Sequence, residues 1–322
     1  MLMKRLSLMM AVTLGITIVL CGISFAVVYL LFPGPDQEFT RIFVNYYLLI
    51  QFIVSVIAGF LGAFISLLCS RWFMKRIYRI KVIDHNTSKP KERYLLQKIY
   101  SYAGRAGIKK MPQVGIYASQ IPNAFATGRS KNSSLVAVSS ALMQQLNREE
   151  VDGVLAHEVA HIANGDMITM TLLQGIVNSF ALFFSKIITA FIITMLSRGS
   201  KGAKNYGLLS FVLEIIIYIL LCVVGMLITN WYSRKREYRA DHGGAQLAGK
   251  KSMVAALKKL QHLEILAYNN GMRQQGMQTS SDTATASLKI SGGHRKVSLF
   301  TKIFSTHPPL TDRIARLSQN FM

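Results

Sequence analysis

The sequence predicts an α-helical membrane protein that carries a polar domain of mixed α+β class. Three observations lead there. Apolar residues make up 51% of the 322 residues and charged ones only 16%, whereas soluble domains carry about 25% charge. Four stretches are long enough to cross a bilayer, which takes ~20 mostly apolar residues per helix. Between and after these stretches lie two segments of ordinary polar and apolar mixture, with helical and alternating patterns side by side.

The first stretch runs from about Leu8 to Phe32 and stops at the turn-rich "PGPDQ". Lys4 and Arg5 precede it as they would a signal peptide. The run is too long for that and no A-x-A-like cleavage site follows, so a retained signal anchor is expected. The second runs from about Ile42 to Cys69 and ends at the basic "RWFMKRIYRIK". The third, about Ile168 to Leu196, contains Gln174, Asn178, Ser185 and Lys186. The fourth, about Leu208 to Thr229, contains Glu214. Ionisable groups at such depth face protein or water and not lipid. Lys186 and Glu214 either pair across a helical hairpin or both face an aqueous cavity.

Loop charges set the orientation. Basic residues flank the outer ends of both hairpins: Lys4 and Arg5, then Arg71, Lys75, Arg76, Arg79 and Lys81, then Arg234, Lys235, Arg236 and Arg239. Positive residues stay in the cytoplasm, so both termini and the polar segments are expected there. The loop "SRGSKGAKN" at 197–205 disagrees, being basic yet assigned to the outside. Lys and Arg outnumber Asp and Glu by 37 to 15, for a net charge of +22. With apolar spans present and no nucleic-acid signature, the expected anionic partner is the lipid bilayer and not nucleic acid. Cys21, Cys69 and Cys222 lie in or beside apolar runs without a pairing pattern and read as small apolar fillers.

The expected organisation is a membrane hairpin at 1–70, a first catalytic segment at 71–167, a second hairpin at 168–230 and a second catalytic segment at 231–322. In the first segment "RYLLQKIYSYAGRAGI" has helical spacing. "QVGIYA", "NAFAT" and "SLVAVS" read as short strands separated by Pro, Gly and Asn turns. Residues 147–165 read as a helix, with Asn147 as N-cap and Glu149 and Glu150 in the first turn. From 269 to 297 the composition shifts to Gly, Ser, Thr and Gln, which predicts a long loop, either disordered or a lid.

Chemistry concentrates in "LAHEVAHIANGD". His157 and His161 are four apart, so a helix sets them on one face where both imidazoles reach one divalent ion. Glu158 sits on the neighbouring stripe, able to reach a metal-bound water without ligating the metal. Zinc lowers the pKa of that water and the glutamate takes its proton. The plain alternative is a buried helix with two incidentally spaced histidines. A catalytic zinc needs a third protein ligand, and the candidate is Glu237 in "SRKREYRADHGGAQLAG". Asp241, one turn on, is placed to orient a ligand histidine. Alternatively the two acids merely balance Arg234 to Arg239 on a solvated helix that ends at the glycines. His242 is a rival ligand, with His85, His262, His294 and His307 weaker ones.

In the order "PNAFATG", "LAHEVAHIANGD", apolar hairpin, "RKREYRAD", "HPPLTDRIARL", the chain resembles the HtpX-type membrane zinc metallopeptidases, relatives of the CAAX prenyl proteases. The resemblance covers nearly the whole chain. It implies a zincin-like catalytic domain with one Zn2+ per chain held by His157, His161 and Glu237. Glu158 is then the general base and Asp241 the acid behind a ligand histidine. It also implies that "NAFAT" is an edge strand pairing with an extended peptide, with substrate contacts from Asn123 and Ala124. His307 and Arg313 are implied near the metal, to stabilise the oxyanion or bind substrate; the prolines beside His307 also read as a helix start. The implied role is stress-linked quality control of membrane proteins in the bacterial plasma membrane. A CAAX-type processing protease and a non-catalytic membrane scaffold are the alternatives. His242 after Asp241 and the polar third span depart from the family pattern.

Overall fold

The computed structural model describes residues 38–197, 207–273 and 305–319. In chain order these form α1 (Glu38–Ile77), β1 (Lys81–Val82), α2 (Pro90–Arg105), β2 (Gln113–Tyr117), β3 (Ala124–Ser130) and β4 (Ser133–Ser139). Then follow α3 (Ser140–Gln145), α4 (Arg148–Asn164), α5 (Asp166–Ser197), α6 (Gly207–Ala248), α7 (Lys250–Arg273) and α8 (Leu310–Gln319). Among the described residues three helices, α1, α5 and α6, are long and apolar enough to cross a membrane. They contain the second, third and fourth expected spans; the first, at 8–32, lies outside the described residues, as does the basic loop from 198 on. Of the loop expected at 269–297, residues 269–273 instead continue helix α7 and the remainder lies outside the described residues.

The chain divides into two compact units. One takes described residues 38–65, 171–197 and 207–226. Here Lys186 Nζ lies 3.0 Å from Glu214 Oε1, so the two ionisable groups pair across α5 and α6. A small residue lets α1 and α5 approach: a Cβ on Gly59 would stand 2.6 Å from the backbone nitrogen of Ser179. Large apolar side chains such as Ile57, Leu61, Phe211 and Leu220 point outward, as a bilayer permits and water does not.

The other unit takes 66–170, 227–273 and 305–319. Its four-stranded sheet has the order β1-β2-β4-β3, with β2 and β4 parallel and the outer pairs antiparallel. Alternation sorts β4 between two cores. Val136 and Val138 join Leu95, Ile99, Leu155, Val159, Met253 and Leu257 from α2, α4 and α7. Leu135 and Ala137 join Phe125, Tyr117 and Ile80 on the opposite face. The three expected strands are present; β1, two residues long, carries no periodic signal and was not expected.

Helix α4 is fixed at both ends. Asn147 accepts from the backbone N–H of Glu150, whose carboxylate accepts in return from that of Asn147, a complete capping box. Gly165 closes the helix at φ 70°, a left-handed conformation that glycine takes without steric cost. The expectation that the helix carrying Glu237 ends at Gly243 and Gly244 is corrected: α6 continues to Ala248. The glycines serve close packing. A Cβ on Gly243 would stand 2.9 Å from that of Ala160, and one on Gly244 would stand 3.1 Å from the backbone nitrogen of His157.

Gly244→Ala is therefore expected to lower thermal stability. Alanine gains about 1 kcal/mol in helix propensity, but overpacking of a tight contact costs about 1–3 kcal/mol. A scanning-fluorimetry midpoint at or above that of the native chain contradicts the packing argument.

Candidate metal centre

The histidines of α4 face the last turns of α6. His157, His161 and Glu237 each offer a ligand atom, all within 4.8 Å of one another. The Nε2 atoms of the two rings are 3.1 Å apart, and each lies 3.4 Å from a different oxygen of Glu237. The other edge of each ring is held by an acid. His157 Nδ1 is 3.0 Å from Asp241 Oδ1, and His161 Nδ1 is 2.7 Å from Asp166 Oδ2.

Those contacts set the tautomers. An ionised carboxylate only accepts, so each Nδ1 carries the proton and each neutral ring turns a lone pair inward at Nε2. Two lone pairs and a carboxylate at 3.1–3.4 Å repel unless a cation is close; Arg236 at 3.3 Å and Arg313 at 3.5 Å each approach one oxygen of Glu237, and a proton or metal ion among the three ligand atoms would relieve the rest. Protons answer the same attraction, and a protonated ring would donate from Nε2 to Glu237. Burial pushes the His157 imidazole down, yet its hydrogen bonds to Asp241 and Glu237 prevail and raise it to about 9. Burial also opposes protonation of His161, and the charge of Glu237 with the hydrogen bond to Asp166 overcomes it. Glu237 is fully buried, and its Oε2, near His307 Nδ1 at 3.1 Å and Arg313 Nη1 at 3.5 Å, makes no well-aligned hydrogen bond. Two imidazoles and a carboxylate are the donor set of a divalent metal with open positions, so these three residues could hold one.

Glu158 is buried beside them, and burial raises its carboxyl pKa, opposed by the two histidines. It accepts a hydrogen bond from the backbone of Ala126 on β3. Together with Ala124, Phe125, Ala126, His307 and Arg236 the four residues line a pocket of about 160 Å³. The strand β3 is a sheet edge. Asn123 O accepts from Ser139 N–H at 2.9 Å, so by the antiparallel alternation Ala124 and Ala126 turn their backbone groups to the open side.

The remaining expected residues divide. His307 lines the pocket, with Nδ1 3.1 Å from Glu237 Oε2. Asn123 is buried at the entry to β3 and is not among the lining residues. Arg313, implied near the metal, brings Nη1 to 3.5 Å from Glu237 Oε2 but is not among the residues lining the pocket. It is 0% exposed and grips Asp241 by two bonds of 2.8 and 2.5 Å, behind His157. A guanidinium so paired holds the acid that holds the ring; it does not reach the pocket. His242 is exposed and 3.1 Å from Gln246, His85 meets Tyr100, His262 is exposed, and His294 lies outside the described residues.

Sequence reasoning missed Asp166. It opens α5 directly after Gly165, is 1% exposed, and is held in turn by Arg239 at 2.6 Å. The signal was the "NGD" that ends the histidine motif: a helix stop followed at once by an acid. Asp166→Ala is expected to weaken divalent-metal binding by about 10–100-fold, read by competition with a chromophoric chelator at unchanged helical circular dichroism. Unaltered affinity means that the His161 tautomer is set by other groups.

Comparison with known proteins bears on the whole chain. Residues 89–320 match peptidase family M48. A protein named Protease HtpX homolog from Bacillus licheniformis is 45% identical over 267 residues, 82% of this chain and 83% of that one. Protease HtpX of Idiomarina loihiensis is 43% identical over 261 residues, 81% of this chain and 83% of its own. Protease HtpX of Thioalkalivibrio sulfidiphilus is 38% identical over 315 residues, 98% of each. Among solved structures, S. mikatae Ste24p shares the fold at a TM-score of 0.52 and 18% identity. That match covers 98% of this chain, which spans 65% of the Ste24p chain. Since the family pattern and the HtpX proteases are matched along most of its length, the chain belongs to peptidase family M48 and is a membrane metallopeptidase of HtpX type.

Proposed function

We propose that this chain is a zinc endopeptidase that works from the cytoplasmic side of the bacterial plasma membrane on misfolded or damaged membrane proteins. The observation that carries the reading is the convergence of His157, His161 and Glu237 with Glu158 beside an open strand edge. His157, His161 and Glu237 would hold the ion. When bound, zinc supplies a Lewis acid for a carbonyl oxygen and lowers the pKa of a water.

The chain's own residues supply the rest. The backbone groups of Ala124 and the carbonyl of Ala126 on the open side of β3 offer an extended peptide a strand partner, which aligns it along the pocket. Glu158 takes the proton of the attacking water and later passes it to the leaving amine. Its burial, which favours the protonated form, suits a group that must give the proton back. His307, at the pocket wall, is placed to donate to the carbonyl oxygen as charge develops there. Asp166, Asp241, Arg239 and Arg313 keep the ligand rings aimed.

The side of the membrane follows from the basic residues after the second and fourth spans, and the bacterial relatives favour a plasma-membrane setting. A preference for membrane proteins as substrates rests on the apolar helices that the peptidase segments share.

Glu158→Gln is expected to retain zinc by metal analysis while casein or membrane-protein cleavage falls by about 10²–10⁴-fold, the usual weight of a general base. Glu237→Ala is expected to lose both metal and cleavage. Cleavage surviving in Glu158→Gln would falsify the mechanism, and stoichiometric zinc in Glu237→Ala would refute the ligand assignment.

A further inference from the structure

The basic run after the second span has a part that the peptidase chemistry does not use. Its residues go to different places. Arg71 is bound to the sheet, 2.7 Å from Ser133 Oγ and 3.0 Å from Gln113 Oε1. Arg76 stacks over Trp72. Arg79 and Lys81 instead line a cavity of about 960 Å³, together with Thr87, Lys89, Asp84 and Glu92, at the end of α1.

The backbone at Arg79 is unusual. Helix α1 ends with Ile80 N–H bonded to Lys75 O at 3.0 Å and Arg79 N–H bonded to Arg76 O at 3.4 Å. That double closure puts the residue at position 79 in the left-handed region, where glycine is favoured. Arg79 stands there at φ 47°, the one non-glycine residue with positive φ among the described residues. An L side chain is strained in this conformation, and such strain concentrates where a side chain is needed.

The charges around it are unbalanced. Glu92 is taken up by Lys89 at 3.0 Å and Thr87 at 2.6 Å. Asp84, also on the cavity wall, accepts from the backbone of Asn86 and keeps its charge, so the wall carries three cations, Arg79, Lys81 and Lys89, against two acids. Arg79 and Lys81 have no ion-pair partner among the described residues, and both are exposed. A cavity this size, two unpaired cations and the end of an apolar span call for an anionic group that arrives on an apolar tail.

We propose that this cavity binds the phosphate headgroup of an anionic membrane phospholipid, held by Arg79 and Lys81. The site is separate from the metal centre. It rests on the membrane embedding of the chain and not on the zinc reading, so Glu158→Gln keeps the lipid response.

The test uses the full chain in neutral detergent. Thermal midpoints are followed while phosphatidylglycerol, phosphatidylcholine, glycerol phosphate or inorganic phosphate is added. Phosphatidylglycerol alone is expected to raise the midpoint. Arg79→Gly is expected to raise the lipid-free midpoint, by relief of strain, and to weaken apparent phosphatidylglycerol affinity by about five-fold, the worth of one cation at an anionic surface. Lys81→Gln is expected to weaken it similarly, while Arg76→Gln, an equal charge loss outside the cavity, leaves it unchanged. An undiminished lipid response in both Arg79→Gly and Lys81→Gln overturns the site. An equal loss in Arg76→Gln reduces it to diffuse surface attraction and overturns it too. A full response to inorganic phosphate overturns the lipid source.

Discussion

Most of the peptidase unit can be understood from the need to keep buried charge in partnership. Two imidazoles, Glu158, Glu237, Asp166, Asp241 and the Arg313 guanidinium share a space from which water is largely removed. Each ion taken from water loses several kcal/mol of solvation, recovered only where partners and geometry are good. The arrangement meets that condition in layers. The ligand atoms of His157, His161 and Glu237 converge, the aspartates hold the backs of the rings, and the arginines hold the aspartates. Four helices, α4, α5, α6 and α8, each contribute a member that the others leave incomplete. A centre of this kind ties the folding of distant chain segments to the aim of two nitrogen lone pairs.

Packing serves the same end. Gly243 and Gly244 lie inside α6, where glycine lowers helix stability, because anything larger presses on Ala160 and on the backbone of His157. The helix gives up local stability for the short distance between Glu237 and the histidines. Arg79 shows the reverse trade: a residue with a side chain occupies a backbone position that suits glycine. In both cases a local preference is overruled, and the overruling marks where a close approach or a particular side chain matters.

Chain order explains why a membrane segment can interrupt this domain. The histidine helix passes through Gly165 directly into α5, and the glutamate follows on α6 without a break after the fourth apolar stretch. The two halves of the metal centre thus bracket a hairpin whose own polar pair, Lys186 with Glu214, is satisfied internally.

By itself the sequence determined what depends on near neighbours along the chain. Apolar length marks the spans α1, α5 and α6, the capping residues mark both ends of α4, and four-residue spacing puts His157 and His161 on one face. These are consequences of helix geometry and of local hydrogen bonding, which a short window contains. The residues that could complete the centre were legible as candidates, Glu237 and Asp241 among them, but their distances were not. Tertiary structure alone decided that Arg313 sits behind Asp241 and not in the pocket, that Asp166 holds His161, and that the α6 glycines continue the helix. It also decided that Arg79 and Lys81 share a cavity. Each of these depends on groups far apart in the chain meeting at a few ångströms, and burial and charge pairing at such distances are set only when the helices pack.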